Sequence, residues 1–544
     1  MNKQIIPLLL LCLSTSLKAQ QYRFTQQDSL RGSITPERAW WDLRHYDLRV
    51  NIDPDEKYIS GSNAIRYTVL SEGQSLQLDL QPPMKLKTVA QGGEELSFET
   101  RGNAHFIQMQ QPQRIGETYT ITAYFEGHPK AAANAPWDGG FSWEKDPEGN
   151  AFVATSCQGL GASVWWPNKD HMYDEVDSMA IRLTVPKNLV GVANGQLKGV
   201  TEGDTTKTYH WYVENPINNY GVNANLAEYA HFDSVYAGEK GSLPLDYYVL
   251  PQNLEKARQQ FEQVPLMLEA FEYWFGPYPF YEDGFKLVEV PYLGMEHQSS
   301  VTYGNGYQNG YLGYDLSGTG WGLKFDFIII HEAGHEWFAN NITYRDIADM
   351  WIHEGFTAYS ENLYLDYHFG KEAAAEYVVG TRPHIRNDRP VIGPYGVNQA
   401  GSGDMYYKGA NMLHTLRQLL EDDALWRKIL RGLNETFYHQ TVTTEQVENY
   451  LSQATGKDLS AFFNQYLRTT NVPTLEYRIT GPRLEFRYTN IVQDFDMPVR
   501  ATLDAREIWL FPNAEWQSRE YAVPVKEFVV DRNFYIDTRN VAAP

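Results

Sequence analysis

The chain contains the run Phe327-Ile328-Ile329-Ile330-His331-Glu332-Ala333-Gly334-His335-Glu336-Trp337. Histidines four apart leave the same face of a helix, so both imidazoles can bind one metal ion. Glu332 follows His331 and can lie over the open side of that ion, where it would take a proton from metal-bound water. A chain of this length shows such a pattern by chance about once in fifty, and two surface histidines on an amphipathic helix would produce it equally well. A zinc hydrolase also needs a third protein ligand and an open fourth position. Trp351-Ile352-His353-Glu354-Gly355-Phe356 opens a second helical run, with Phe356, Tyr359 and Leu363 on one stripe and Gly370 as its stop. Glu354 stands 19 positions after His335, and an antiparallel helix pair would carry its carboxylate to the two imidazoles. Alone, Glu354 is an acid favoured near a helix N-terminus. Jointly, the two runs predict one Zn2+ per chain held by His331, His335 and Glu354.

Elements able to position these groups alternate along the chain. From Tyr46 to about Ala230 the apolar residues recur at period two, as in Tyr46, Leu48, Val50 and Ile52, with Gly, Pro and Asn between runs. That pattern predicts a large antiparallel β domain. Near Asn253 the period lengthens: Leu254, Ala257, Phe261, Val264, Met267, Leu268 and Phe271 form a helical stripe, with a kink expected at Pro265. Helical patterns continue to about Leu467, interrupted by a glycine-rich stretch, and β signals return from Pro473 in a short tail. The expected division is a signal peptide over 1–19, an N-terminal β domain over 20–234, a mostly helical catalytic domain over 235–470 and a small β-sandwich over 471–544. The fold class is multidomain α+β.

The 544 residues carry 46 Lys+Arg against 68 Asp+Glu, a formal charge of −22. A phosphate backbone would be repelled, which argues against nucleic-acid partners. Met1 to Gln20 has Lys3, an apolar core over Ile5–Leu13 and Leu17-Lys18-Ala19 as a cleavage site. The core is too short to span a bilayer, so it reads as an export signal, with a periplasmic or secreted product and no transmembrane segment. Removing it takes Cys12 and leaves Cys157, read as a small buried hydrophobe.

With the spacing of His331, His335 and Glu354, the segments HEAGHEWFANNIT and DMWIHEGFTAYSE resemble the M1 family of zinc aminopeptidases, the group of aminopeptidase N and leukotriene A4 hydrolase. The resemblance implies a thermolysin-like catalytic domain in which Glu332 is the general base and acid. It also places Leu293-Gly294-Met295-Glu296-His297 at the motif that captures the substrate's free amine, with Gly294, Met295 and Glu296 as its residues. Met405-Tyr406-Tyr407-Lys408-Gly409 aligns with the segment whose Tyr polarises the scissile carbonyl, which puts that role on Tyr406 with Tyr407 as its nearest rival. Thr155-Ser156-Cys157-Gln158 before Trp166-Pro167 resembles the segment whose Gln or Glu helps hold the amine, here Gln158. Three positions depart from the family: Leu293 replaces the motif's first Gly and His297 and His353 replace Asn, and a His at 353 can still donate a hydrogen bond behind the metal site. The apparent strand Phe285–Val290 before Glu296 is expected to be a sheet edge that pairs with an extended peptide. The implied function is an exported aminopeptidase acting on peptides with a free N-terminus. A thermolysin-like endopeptidase and an inactive peptide-binding protein are the competing expectations.

Overall fold

The computed structural model describes residues 24–541, so the export-signal reading of residues 1–19 and Cys12 lies outside the described residues. The N-terminal unit is built on an eight-stranded sheet. Its central strand, Trp41–Asp53, pairs antiparallel with Tyr58–Val69 and parallel with Ser178–Pro186. Tyr46, Leu48, Val50 and Ile52 all face the core, as their period-two spacing requires. Leu43 is also buried, three positions before Tyr46. A register shift between Leu43 and His45 absorbs the change of phase, as one extra residue in a strand does. A smaller sheet runs in the order Val190–Val192, Asn225–Ala227, Ala151–Ser156, Gly140–Lys145, and delivers Gln158 two residues past the end of its third strand.

The middle of the chain opens with a five-stranded sheet: Ala230–Gly238, Gly241–Val249, Phe285–Glu289, Val301–Tyr303 and Gly294–Met295, in that spatial order. Here the structure corrects a sequence expectation. Phe285–Glu289 lies inside the sheet with parallel neighbours on both sides. The edge on the Glu296 side is the short Gly294–Met295 strand, because the chain after Val290 folds back and pairs on the outer side of Val301–Tyr303. The edge therefore ends directly at Glu296. A second correction concerns the helical stripe. It breaks at Phe261–Glu262 into Leu254–Gln260 and Gln263–Phe275, not at Pro265. Pro265 is the third residue of the second helix, within the first turn, where its missing N–H has no intrahelical acceptor to lose.

The first ligand helix, Phe327–Gly334, is capped by Asp326, whose carboxylate accepts the N–H groups of Ile328 and Ile329. The second, Trp351–Phe369, ends at Gly370, where φ is +91°. The helix Tyr407–Gln418 crosses it where two glycines meet: a Cβ on Gly409 would stand 2.8 Å from the Gly355 Cα. A Cβ on Gly355 would in turn press on the Met405 carbonyl at 3.1 Å, so the two helices touch closest at this pair. The C-terminal tail forms a four-stranded and a three-stranded sheet, with Leu475, Leu484, Phe486, Val499 and Leu510 buried. No described helix is long and apolar enough to cross a membrane.

Candidate metal centre and peptide cleft

His331 lies on the last turn of the first ligand helix and His335 immediately caps it, before an irregular turn over Glu336–Asn341. Glu354 sits in the first turn of the second ligand helix. The Glu354 Oε2 atom is 3.7 Å from His331 Nε2 and 3.3 Å from His335 Nε2. All three side chains are buried. Side chains from the two helices thus converge on one point.

Groups behind the ligands fix their orientation. His331 Nδ1 meets Glu361 Oε1 at 2.6 Å, and the Tyr377 hydroxyl donates to the other oxygen of Glu361. His335 Nδ1 lies 3.0 Å from the Phe338 carbonyl and 3.0 Å from Thr357 Oγ1. Both rings therefore turn Nε2 toward Glu354. Glu361 and Thr357 were not singled out from sequence. The signal was present: Glu354, Thr357 and Glu361 recur at i, i+3 and i+7, which places three polar groups on one helix face.

The electrostatics suit a cation. Burial works against charge on His331, but the adjacent Glu354 and Glu361 carboxylates outweigh it and hold the imidazole well above its ordinary range. Burial likewise opposes ionisation of Glu354, yet the neighbouring His335 and His331 pull it well below the usual carboxylate range. The buried Glu354 Oε2 has no hydrogen-bond partner, so it is free to ligate, while Oε1 is engaged by Gln158. Two nitrogens and one carboxylate oxygen, with a cavity on the open side, fit zinc.

That cavity, about 370 Å³, is lined by Glu296, Glu332, Gln158, Tyr406 and aromatic walls that include Tyr311 and Trp137. Burial and the nearby Glu296 and Glu354 charges, opposed by the two histidines, raise the Glu332 carboxyl to about 7. A carboxylate near neutrality can both accept and return a proton. Glu296 is 3% exposed, and its carboxylate lies within 4.8 Å of ligand atoms on Glu332 and His335. Gln158 donates from Nε2 to Glu296 Oε1 at 2.7 Å and to Glu354 Oε1 at 2.8 Å. Its amide nitrogen is thereby committed to the two carboxylates, and its carbonyl oxygen remains as the acceptor. Gly294 is required by close approach: a Cβ there would lie 2.6 Å from Ile328 Cγ2 and 3.4 Å from Glu332 Cγ. Met295 is buried beside it in the cavity wall.

Tyr406 stacks near His331, with ring centroids 6.0 Å apart, and its hydroxyl reaches Glu354. Tyr407 also borders the cavity but turns toward His384, 5.2 Å between ring centroids. Neither replacement histidine touches a metal ligand. His297 is fully buried behind the site, with Nδ1 3.2 Å from the Gly221 carbonyl and Nε2 3.2 Å from the Thr155 carbonyl. His353 does not reach behind the metal site as expected. Its Nε2 accepts the Tyr344 N–H at 2.8 Å and its Nδ1 faces the Tyr220 hydroxyl. Cys157 is buried, and burial pushes its thiol up, away from the thiolate.

A buried His-His-Glu set facing a carboxylate across a peptide-sized cleft defines a metal-dependent hydrolase site. Residues 259–466 match the model of the peptidase family M1 domain. The M1 zinc metallopeptidase of Deinococcus radiodurans aligns with a TM-score of 0.67 at 20% identity, over 80% of this chain and 96% of that one. Endoplasmic reticulum aminopeptidase 1 of Homo sapiens is 23% identical over 73% of this chain and 44% of its own length. A probable aminopeptidase of Sulfurisphaera tokodaii is 19% identical over 80% of this chain and 54% of its own. The chain spans about half the length of the curated relatives it matches. By fold and ligand set together, the chain is similar to the M1 zinc metallopeptidases, and the match to that family's domain covers residues 259–466.

Proposed function

We propose that the chain is an exported zinc-dependent aminopeptidase that hydrolyses the first peptide bond of peptides with a free N-terminus, using a catalytic domain over residues 235–470. The observation that carries this reading is Glu296, a buried carboxylate at the end of an unpaired sheet edge, within 4.8 Å of a ligand atom of His335. An α-nitrogen lies about 2.5 Å from its own carbonyl carbon by standard bond lengths. An ammonium held by Glu296 and the Gln158 carbonyl therefore leaves only the first carbonyl in reach of the metal ligands.

Zinc, when bound by His331, His335 and Glu354, supplies Lewis acidity and lowers the pKa of water. Glu332 takes the proton of the attacking water and returns it to the departing nitrogen. Tyr406 donates its O–H to the carbonyl oxygen as negative charge develops there, a contribution of about 3 kcal/mol in comparable sites. The Gly294–Met295 edge pairs with the substrate backbone. Export rests on the pattern of residues 1–19, and N-terminal sequencing of the mature protein tests it.

The activity is tested with an aminoacyl amide and its N-acetylated twin. The blocked compound is expected to turn over at least about a hundredfold more slowly, because acetylation removes the charge that Glu296 needs. Chelation should abolish turnover and added zinc restore it. Equal rates on free and blocked compounds refute the aminopeptidase reading and favour an endopeptidase.

A further inference from the structure

On the aminopeptidase reading, we propose that Trp137 is a specificity-determining residue whose indole covers the side chain of the substrate's first residue, and that the preferred substrates are peptides beginning with a large apolar or aromatic residue. Trp137 is 62% exposed, the one exposed tryptophan among the described residues, and with Pro136 it lines the cleft. Its loop is closed by its own hydrogen bonds. The Asp138 carboxylate accepts the N–H groups of Ala133 and Asn134 at 2.7 and 2.9 Å, Lys130 Nζ donates to the Asp138 carbonyl, and the Gly139 N–H donates to the Pro136 carbonyl. An indole held out on such a turn forgoes the burial of a core position, and it offers a flat apolar face that needs little ordering when a ligand arrives.

Strand register decides which part of the substrate this face meets. Gly140–Lys145 runs antiparallel to Ala151–Ser156, with Gly140 opposite Ser156. Trp137 precedes Gly140 by three residues and Gln158 follows Ser156 by two, so both leave the same end of this strand pair. The two segments touch there: a Cβ on Gly139 would stand 2.8 Å from the Leu160 Cβ and 3.2 Å from the Ser156 carbonyl. Gln158 in turn donates to Glu296 at 2.7 Å, which sets Trp137 on the amine side of the cleft. A peptide's first side chain branches from the Cα, one bond of about 1.46 Å from the amine, and so is the group nearest this wall. Leu293 and Met295 complete the wall, whereas Phe327 packs on Tyr311 and on His331, with ring centroids 5.3 and 5.0 Å apart. Charge then fixes the chemical class. The cleft is lined by four carboxylates, Glu296, Glu332, Glu354 and Glu361, and by no lysine or arginine among the described residues. The four are committed to the amine, the water proton, the metal and His331. An acidic first residue meets repulsion with no cation to pair with, and a basic one finds no carboxylate left over.

The test uses the zinc-loaded full chain, with kcat/KM measured on phenylalanyl, alanyl, lysyl and aspartyl amides, each beside its N-acetylated twin. The phenylalanyl compound should exceed the alanyl one by at least about tenfold, with the lysyl compound below phenylalanyl and the aspartyl compound lowest. Trp137→Ala should lower the phenylalanyl-to-alanyl ratio about tenfold with zinc content unchanged. Trp137→Phe, which keeps a ring face, should hold that ratio within about threefold of the original. An unchanged ratio in Trp137→Ala, or an equal fall on both compounds, overturns the proposal. A lysyl or aspartyl amide that matches the phenylalanyl one overturns the assigned substrate class. Equal rates on free and blocked compounds in the unsubstituted protein refute the aminopeptidase reading, and this inference falls with it; slow cleavage of the blocked compounds with an unchanged ratio refutes this inference alone.

Discussion

Replacing Glu361 by Gln tests whether the group behind His331 governs metal affinity. Glu361 is 1% exposed at its side chain, and its Oε1 meets His331 Nδ1 at 2.6 Å. The amide keeps the shape, and its carbonyl can still accept from the imidazole. The Tyr377 hydroxyl can accept from the new NH2 group where it now donates, so no buried polar atom is orphaned. What is lost is the negative charge. A hydrogen bond to a charged group contributes about 1.5–3 kcal/mol, against about 0.5–1.5 for a neutral pair. The difference, about 1–1.5 kcal/mol, corresponds to roughly a tenfold weaker zinc site. That falls at the lower end of the 10–100-fold loss typical of such outer groups. The assay is competition for zinc against a chromophoric chelator of known affinity at fixed pH, with kcat measured separately at saturating zinc. Zinc Kd should rise about tenfold while saturated kcat changes by no more than a few fold. A Kd within twofold of the original would refute the argument, since His331 would then hold its orientation without the Glu361 charge.

Glu332→Gln should retain zinc and the folded state and lose several orders of magnitude in kcat, measured by metal analysis and turnover on one preparation. Tyr406→Phe should lower kcat more than it changes KM, because its hydrogen bond strengthens as charge develops; a larger kcat loss in Tyr407→Phe would move the role one residue along. His297 should make the fold acid-sensitive. Burial pushes its imidazole down to about 4 from 6.5. Between those values the unfolded chain binds a proton that the folded chain does not, so stability present above pH 6.5 is lost as pH falls toward 4. The shift corresponds to about 3 kcal/mol. His297→Asn should flatten the unfolding free energy over that range, read by urea titration at several pH values; an unchanged slope would sink the assignment.

The convergence of the candidate ligands was legible in the sequence because helix geometry is local. The spacing of four from His331 to His335 fixes a common face wherever the helix lies. Glu332 follows from the same turn. The alternation from Tyr46 to Ile52 likewise announced its strand, since a side chain's face in a strand depends only on its parity. Other features depended on packing between segments far apart in the chain. That the Gly294–Met295 strand is the edge on the Glu296 side, and Phe285–Glu289 is not, was decided by which neighbours fold back against the sheet. Pro265 lost its expected kink because a helix start, not a helix interior, fell there. Thr357 and Glu361 carried a helical spacing, but their partners, His335 and His331, sit 22 and 30 residues away. His353 reads as a neighbour of Glu354, yet its ring turns to Tyr220, 133 positions away. Spacing along a helix or strand fixes direction relative to that element alone; which groups meet across elements is set by close approach, as where Gly355 and Gly409 let two helices touch, and this is determined only once the whole chain has packed.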